Sequence, residues 1–170
     1  MALTKLNFSG NQQALVAANI PTLTNTQLPV IQSSKLPTNS VLQVITNTSV
    51  ATVSNANTTA IDLITASITP KESSSLIMIK GYQGHANITV GTSNAYGALY
   101  IVDPSSNVIA GSFVGHSTAN SSNVTVVGFH SPASTSSQTY KLRISTGSGG
   151  TGTNSTDGQR YTIELSEIKQ

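Results

Sequence analysis

From Val41 to the C-terminus, the apolar residues fall into short segments separated by clusters of Ser, Asn, Gly and Pro. Val, Ile and Thr make up 50 of the 170 residues, and branching at the β-carbon favours extended backbone. No segment of ten or more residues after Val41 has helical periodicity, which argues against crossover helices and a parallel sheet. This pattern predicts an all-β, antiparallel domain.

The individual segments predict strands that alternate between a buried and an exposed face. Segments 76–79 and 99–102 are apolar on both faces, which predicts central strands or strands whose outer face meets another subunit. In the last strand Ile168 falls out of phase, which predicts a bulge or an end contact there. Eight or nine strands in about 130 residues fit an antiparallel jelly-roll β-sandwich. The predicted strands are 41–47, 59–68, 75–82, 86–91, 97–103, 107–114, 123–130, 138–145 and 160–168.

The first 40 residues have a different pattern, in which an aliphatic residue precedes proline three times at intervals of eight residues. Proline excludes a helix interior and holds the preceding residue in extended geometry. Residues 1–40 are therefore predicted to be an extended N-terminal arm before a β-sandwich at 41–170, and a disordered linker is the alternative. The candidate anchoring residues of the arm are Ile20, Pro21, Leu28, Pro29, Leu36 and Pro37.

Charge and sulfur content exclude several classes of protein. Charged residues make up 8% of the chain, the net charge is +2, and the Lys and Arg residues do not cluster as they do in nucleic-acid-binding proteins. No apolar run approaches the roughly 20 residues of a membrane span, and the absence of Cys excludes thiolate catalysis. A surface of neutral hydrogen-bonding groups suits subunits that bury much of their area in an assembly.

The glycine-rich and histidine motifs do not indicate a cofactor or a metal. Residues 147–152 satisfy the G-x-G-x-x-G pattern, but the residues that follow form loops and not the helix that nucleotide binding requires. This stretch is predicted to be a flexible tip loop. His85, His116 and His130 lack the close spacing of a metal site, although all three follow strand ends and could gather at one end of the sandwich.

The few carboxylates give no catalytic pair. Asp103 and Asp157 occur in turn sequences, in which Asp side chains bind their own backbone. Glu164 and Glu167 are predicted on an edge-like C-terminal strand, where charge discourages aggregation. The sequence therefore predicts a protein that is not an enzyme, and a polysaccharide-degrading activity is the least favoured alternative.

Several stretches resemble the C-terminal jelly-roll modules of tailed-phage virion proteins, particularly those of marine and cyanobacterial podoviruses. Residues 35–44 (KLPTNSVLQV) look like the entry to such modules, and residues 68–78 and 162–168 are similar to their later segments. The opening residues 1–5 are similar to the starts of many small phage fibre and decoration proteins. The resemblance implies a homotrimer on the virion surface, and the family has no catalytic motif.

Together, these features predict a capsid decoration or cement protein on the capsid exterior, anchored by its arm. The expected partners are copies of itself and the major capsid protein or another virion protein, without cofactor, nucleic acid or membrane insertion. The alternative is a receptor-binding tail-fibre tip, in which Tyr82, Tyr96 and Tyr100 contact a host surface glycan by stacking and hydrogen bonding.

Overall fold

The computed structural model describes residues 32–90, 96–114, 120–147, 152–155 and 160–170. The chain divides into two units, 1–32 and 33–170, and all of the strands described here belong to the second. They are β1 (Val41–Ser49), β2 (Ser54–Asn55), β3 (Ile61–Ile68), β4 (Leu76–Val90), β5 (Gly97–Val102), β6 (Val108–Val114), β7 (Asn120–His130), β8 (Gln138–Thr146), β9 (Gly152–Ser155) and β10 (Tyr161–Ile168).

The strands form two antiparallel sheets. The first sheet has the order β1–β10–β4–β7, with the short strands β9 and β2 beside the second half of β4, and the second sheet has the order β3–β8–β5–β6. Among the eight long strands only β5 and β6 form a hairpin, because every other connection between consecutive long strands crosses from one sheet to the other. This is the jelly-roll topology, so the predicted fold class is confirmed.

The core lies between the two sheets and follows the predicted alternation of side chains. On β8, Leu142 and Ile144 are buried while Lys141 and Arg143 point outward and pair with Asp62 of β3. The same alternation holds on β10 from Tyr161 to Leu165, after which Ser166 and Glu167 are both buried. The fully buried large side chains are Tyr140, Ile68, Ile77, Ile79, Leu99, Ile101, Leu142, Ile144, Ile163, Leu165 and Gln83.

The prediction of two strands at 75–82 and 86–91 is wrong. They belong to a single 15-residue strand with a register shift between Gln83 and Ala86. Gly84, which lies between the two predicted strands, and Gly81 are both places of close approach. A methyl group at Gly81 would contact Leu142 of the opposite sheet, and the Gly84 amide donates a hydrogen bond of 2.9 Å to the carbonyl of Arg160.

Strand β10 corrects a second prediction, because it is not an edge strand. It lies between β1 and β4 and pairs with both over nearly its whole length. Glu167 is completely buried on it, whereas the prediction placed this residue at a charged edge. Ile168 pairs with Leu76 without interruption, and the predicted irregularity lies in the facing strand, between Val41 and Gln43.

The prediction of a loop after the glycine-rich stretch is also wrong. Residues 152–155 were expected in a loop, but they form β9, which pairs with β2 and with residues 87–90 of β4. Ser, Thr, Asn and Gly give no apolar alternation, so sequence periodicity could not reveal this strand. Residues 148–151 lie outside the described residues.

Candidate binding surface on the outer face of the first sheet

The segment before β1 is fastened to the C-terminal end of β10. Ser33–Lys35 form a single 3-10 turn, and the Lys169 ammonium donates hydrogen bonds of 2.8 Å to the carbonyls of Ser33 and Leu36. The backbones of Asn39 and Lys169 are also joined by a 2.7 Å hydrogen bond. The predicted anchoring residues Leu36 and Pro37 thus lie beside the end of β10, and Ile20, Pro21, Leu28 and Pro29 lie outside the described residues.

The outer face of the first sheet, which points away from the core, is organised in rows of side chains that cross the strands. The pairing register places one residue from each of β1, β10, β4 and β7 in every row. The chemistry changes from apolar to polar along the strands. The rows are Val44, Ser166, Met78 and Phe129, then Thr46, Glu164, Lys80 and Val127, then Thr48, Thr162, Tyr82 and Thr125.

The apolar half of this face, which we term the apolar band, consists of Val44, Met78, Val127 and Phe129. Val44, Val127 and Phe129 are 52%, 47% and 55% exposed, and Met78 is half-buried between them. Contiguous exposed apolar surface is uncommon on monomers and usually marks an interaction site. The sequence analysis missed Val127 and Phe129, although residues 124–129 are apolar on both faces, the same signal that marked residues 76–79.

The polar half holds an open depression of about 380 Å³, lined by Lys80, Tyr82, Thr125, Thr162 and Glu164. Lys80 and Glu164 face each other across β4 and β10. Within the part of the chain that is described, neither side chain forms an ion pair or a hydrogen bond. The Thr162 hydroxyl lies 3.2 Å from that of Thr48.

The three tyrosines of the glycan hypothesis do not form one site. Tyr82 lies in the depression on the first sheet. Tyr100 projects from the second sheet, where its hydroxyl accepts a hydrogen bond of 3.1 Å from Ser145. Tyr96 packs edge-to-face against Phe113, with ring centroids 5.1 Å apart. Glycan contact by Tyr82 would therefore be separate from any contact by Tyr96 or Tyr100.

One end of the sandwich holds a cluster of a histidine, a tyrosine and an aspartate. His130 Nδ1 lies 2.9 Å from the hydroxyl of the fully buried Tyr140, and the two rings meet edge-to-face. Burial, followed by the negative charge of Asp103, raises the pKa of Tyr140 to about 12. The side chain of His85 and all of His116 lie outside the described residues.

Asp103 occupies the predicted turn between β5 and β6. Its carboxylate accepts hydrogen bonds of 2.8 Å from the backbone amide of Asn107 and 2.9 Å from the side-chain amide of the same residue. Burial tends to raise the pKa of Asp103, but the hydrogen bonds from Asn107 and Ser105, together with the charge of His130, outweigh burial and lower it. Asp103 therefore acts as the predicted Asx turn residue, and Asp157 lies outside the described residues.

Because the pKa of Tyr140 is raised in the folded chain, we expect the protein to lose stability at alkaline pH. The unfolded chain releases this proton near the ordinary value of 10.0, whereas the folded chain keeps it to about 12, so the free energy of unfolding falls as pH rises between these values. Tyr140→Phe has no proton to release, and its stability should fall less steeply across this range. Urea unfolding on either side of pH 10 measures the two slopes. Equal slopes would contradict the assignment.

Within the described residues, no cluster of three or more His, Asp or Glu side chains is arranged to hold a metal ion. In the same part of the chain, no helix has the length and apolarity needed to cross a membrane.

Strand order and packing define the chain as a jelly-roll β-sandwich protein with an exposed apolar band and a polar depression on one face. No protein-family model matches the sequence, and no curated protein is significantly similar to it. Similar solved structures include the VP2 subviral particle of infectious bursal disease virus (14% identity, TM-score 0.39), with 84% of this chain and 42% of that chain covered. The T13 particle of the same virus is also similar (15% identity, TM-score 0.37), with 84% and 40% covered. This chain thus spans about two fifths of the length of these proteins.

Proposed function

We propose that this chain is a non-enzymatic virion structural protein that decorates the capsid exterior as a homotrimer, with residues 1–40 as its anchor. The apolar band on the outer face of the first sheet is the observation that carries the proposal. Because jelly rolls serve many functions, the fold alone does not identify this one.

The apolar band fits a second copy of the same chain as its occupant. Fully burying an exposed Phe or Val side chain is worth roughly 1.5 to 3 kcal/mol. Phe129 and Val127 are 55% and 47% exposed, so each can supply about half of this as a driving force for association. The row from Val44 to Phe129 contains no ionisable side chain. Lys80 and Glu164 in the next row have opposite signs, so this pair adds no net charge to the face.

The connection between the arm and the sandwich suits an anchor. Hydrogen bonds join Leu36 and Asn39 to Lys169, which directly follows the central strand β10. A load on the arm would therefore reach the middle of the first sheet and not a peripheral loop. The prolines of the arm limit the entropy lost when its aliphatic residues dock on another surface. Binding of the arm across neighbouring capsid subunits would stabilise the assembled shell by mass action.

Substitution of one exposed phenylalanine tests the trimer. Phe129→Ser removes the largest side chain of the apolar band and is expected to convert the trimer into a monomer in sedimentation equilibrium. Phe113→Ser is the matched control, because Phe113 is 68% exposed but lies on β6 of the other sheet, and this variant should remain trimeric.

Two results would contradict this part of the proposal. One is a wild-type protein that sediments with the 17.6 kDa mass of a single chain. The other is a Phe129→Ser variant that keeps the mass of the wild-type assembly, which would place the contact outside the apolar band.

A further inference from the structure

We propose that the depression lined by Lys80, Tyr82, Thr125, Thr162 and Glu164 is a binding site for a neutral saccharide. This inference does not depend on where the chain attaches to a particle, because it rests on the geometry of the depression alone. Ligand sites combine a concave surface with a few polar groups of fixed orientation, and they usually have volumes of roughly 300 to 1,000 Å³. The volume of about 380 Å³ lies within this range.

Two opposite charges in the depression provide complementary hydrogen-bonding groups. Lys80 and Glu164 occupy directly opposed positions on adjacent strands, yet within the described residues they do not pair with each other or with any other group. An ammonium donates hydrogen bonds and a carboxylate accepts them. Two neighbouring hydroxyls of one sugar match this pair, since one hydroxyl can accept from Lys80 while the other donates to Glu164. The net charge of the pair is zero, which favours a neutral ligand.

Tyr82 supplies the apolar surface that a sugar ring needs. Its side chain follows the strand over Gly84, because a β-carbon at Gly84 would lie 3.2 Å from the Tyr82 hydroxyl oxygen and 3.3 Å from Cε1. The ring therefore lies along the sheet toward Gly84, and Tyr82 lines the same depression as Lys80 and Glu164. The C–H groups of a pyranose can pack on such a ring, which combines a large apolar face with a polar hydroxyl tip. A side chain at Gly84 would press on this ring, so that the ring would have to shift by a few tenths of an ångström.

The threonines complete the polar lining. Thr125 and Thr162 lie in the same row as Tyr82, one on each neighbouring strand, and each hydroxyl can both donate and accept a hydrogen bond. Such groups match further sugar hydroxyls at the ends of the row. A free amino acid would also satisfy Lys80 and Glu164, but a small one would not reach Tyr82 and Thr125.

Saturation-transfer-difference NMR with lactose, maltose, cellobiose and N,N′-diacetylchitobiose as probes tests this site on the full chain. At least one probe should receive saturation from the protein, and Tyr82→Ala should weaken its binding by roughly tenfold, because the apolar area buried between the ring and the sugar would be lost. Lys80→Met and Glu164→Gln should each weaken the same probe. Tyr100→Ala is the matched control, since Tyr100 lies on the other sheet, and it should bind like the wild type.

Three outcomes would overturn the inference. They are the absence of saturation transfer to all four probes, unchanged binding by Tyr82→Ala, and binding of alanine in place of the sugars. The Phe129→Ser variant separates this test from the proposed trimer, because its apolar band is altered while the depression is intact. Retained sugar binding by a monomeric Phe129→Ser protein would support both proposals independently.

Discussion

Replacement of Glu167 by alanine is expected to lower the free energy of unfolding by about 3 to 5 kcal/mol, because buried donors would lose their acceptor. One carboxyl oxygen accepts from the Gln43 amide at 2.6 Å. The other accepts from the Ser75 hydroxyl at 2.6 Å and from the backbone amides of Lys71 and Glu72 at 2.7 and 3.3 Å. This completely buried side chain therefore joins β1, the β3–β4 loop and β10.

Glu164 provides the control for this experiment, since it lies on the same strand but on the outer face and makes no hydrogen bond within the described residues. Glu164→Ala should change stability by less than about 0.5 kcal/mol. Glu167→Gln should fall between the two alanine variants, because it replaces one acceptor oxygen with a donor. Urea unfolding measures all three variants. Equal stability of Glu167→Ala and Glu164→Ala would contradict the structural role of Glu167.

Substitutions at Gly81 and Leu142, which approach each other across the core, are expected to cause the second large loss of stability. Leu142 is fully buried on β8, and a methyl group at Gly81 on β4 would collide with it across the core. Gly81→Ala is therefore expected to destabilise by about 1 to 3 kcal/mol through overpacking. Leu142→Ala should cost about 2 to 5 kcal/mol through loss of buried area and formation of a cavity.

The double variant tests whether Gly81 and Leu142 face each other across the core. In Gly81→Ala/Leu142→Ala, the new methyl group occupies part of the space that the leucine leaves. The combined loss of stability should then be smaller than the sum of the single losses by at least about 1 kcal/mol, which thermal and urea unfolding can both measure. Simple additivity would mean that the two sheets do not face each other in this register.

The strands were predictable from the sequence wherever one face is buried and the other exposed. In β8 and β10, apolar and polar residues alternate with the period of a strand. The observed β8 ends one residue later than predicted, and the observed β10 begins one residue later than predicted. The continuity of β4 was not predictable, because a glycine that permits close packing, such as Gly84, looks in sequence like a glycine that ends a strand.

The environment of Glu167 could not be read from the sequence. A charged residue near the C-terminus suggests an exposed edge, and the groups that satisfy it come from distant segments. Ser75 and Gln43 are 92 and 124 positions away along the chain. Only the sheet order, which places β10 between β1 and β4, brings these donors to one carboxyl group.

The candidate binding surface was predictable in part. Tyr82 was identified from its residue type. The sequence could not show that Tyr82 and Tyr100 lie on different sheets, because the sheet that each strand joins is visible only in the structure. Lys80 and Glu164 lie far apart in the chain and become neighbours through strand pairing. Phe129 was missed even though the residues before it already carried the signal of a strand that is apolar on both faces.

The location of the chain on a virus particle tests the central claim most directly. We expect cryo-electron microscopy of particles from the encoding virus to reveal many three-fold copies of the sandwich on the capsid exterior, with residues 1–40 running against the shell. Density confined to the tail, or particles that lack this chain, would contradict the proposed capsid decoration.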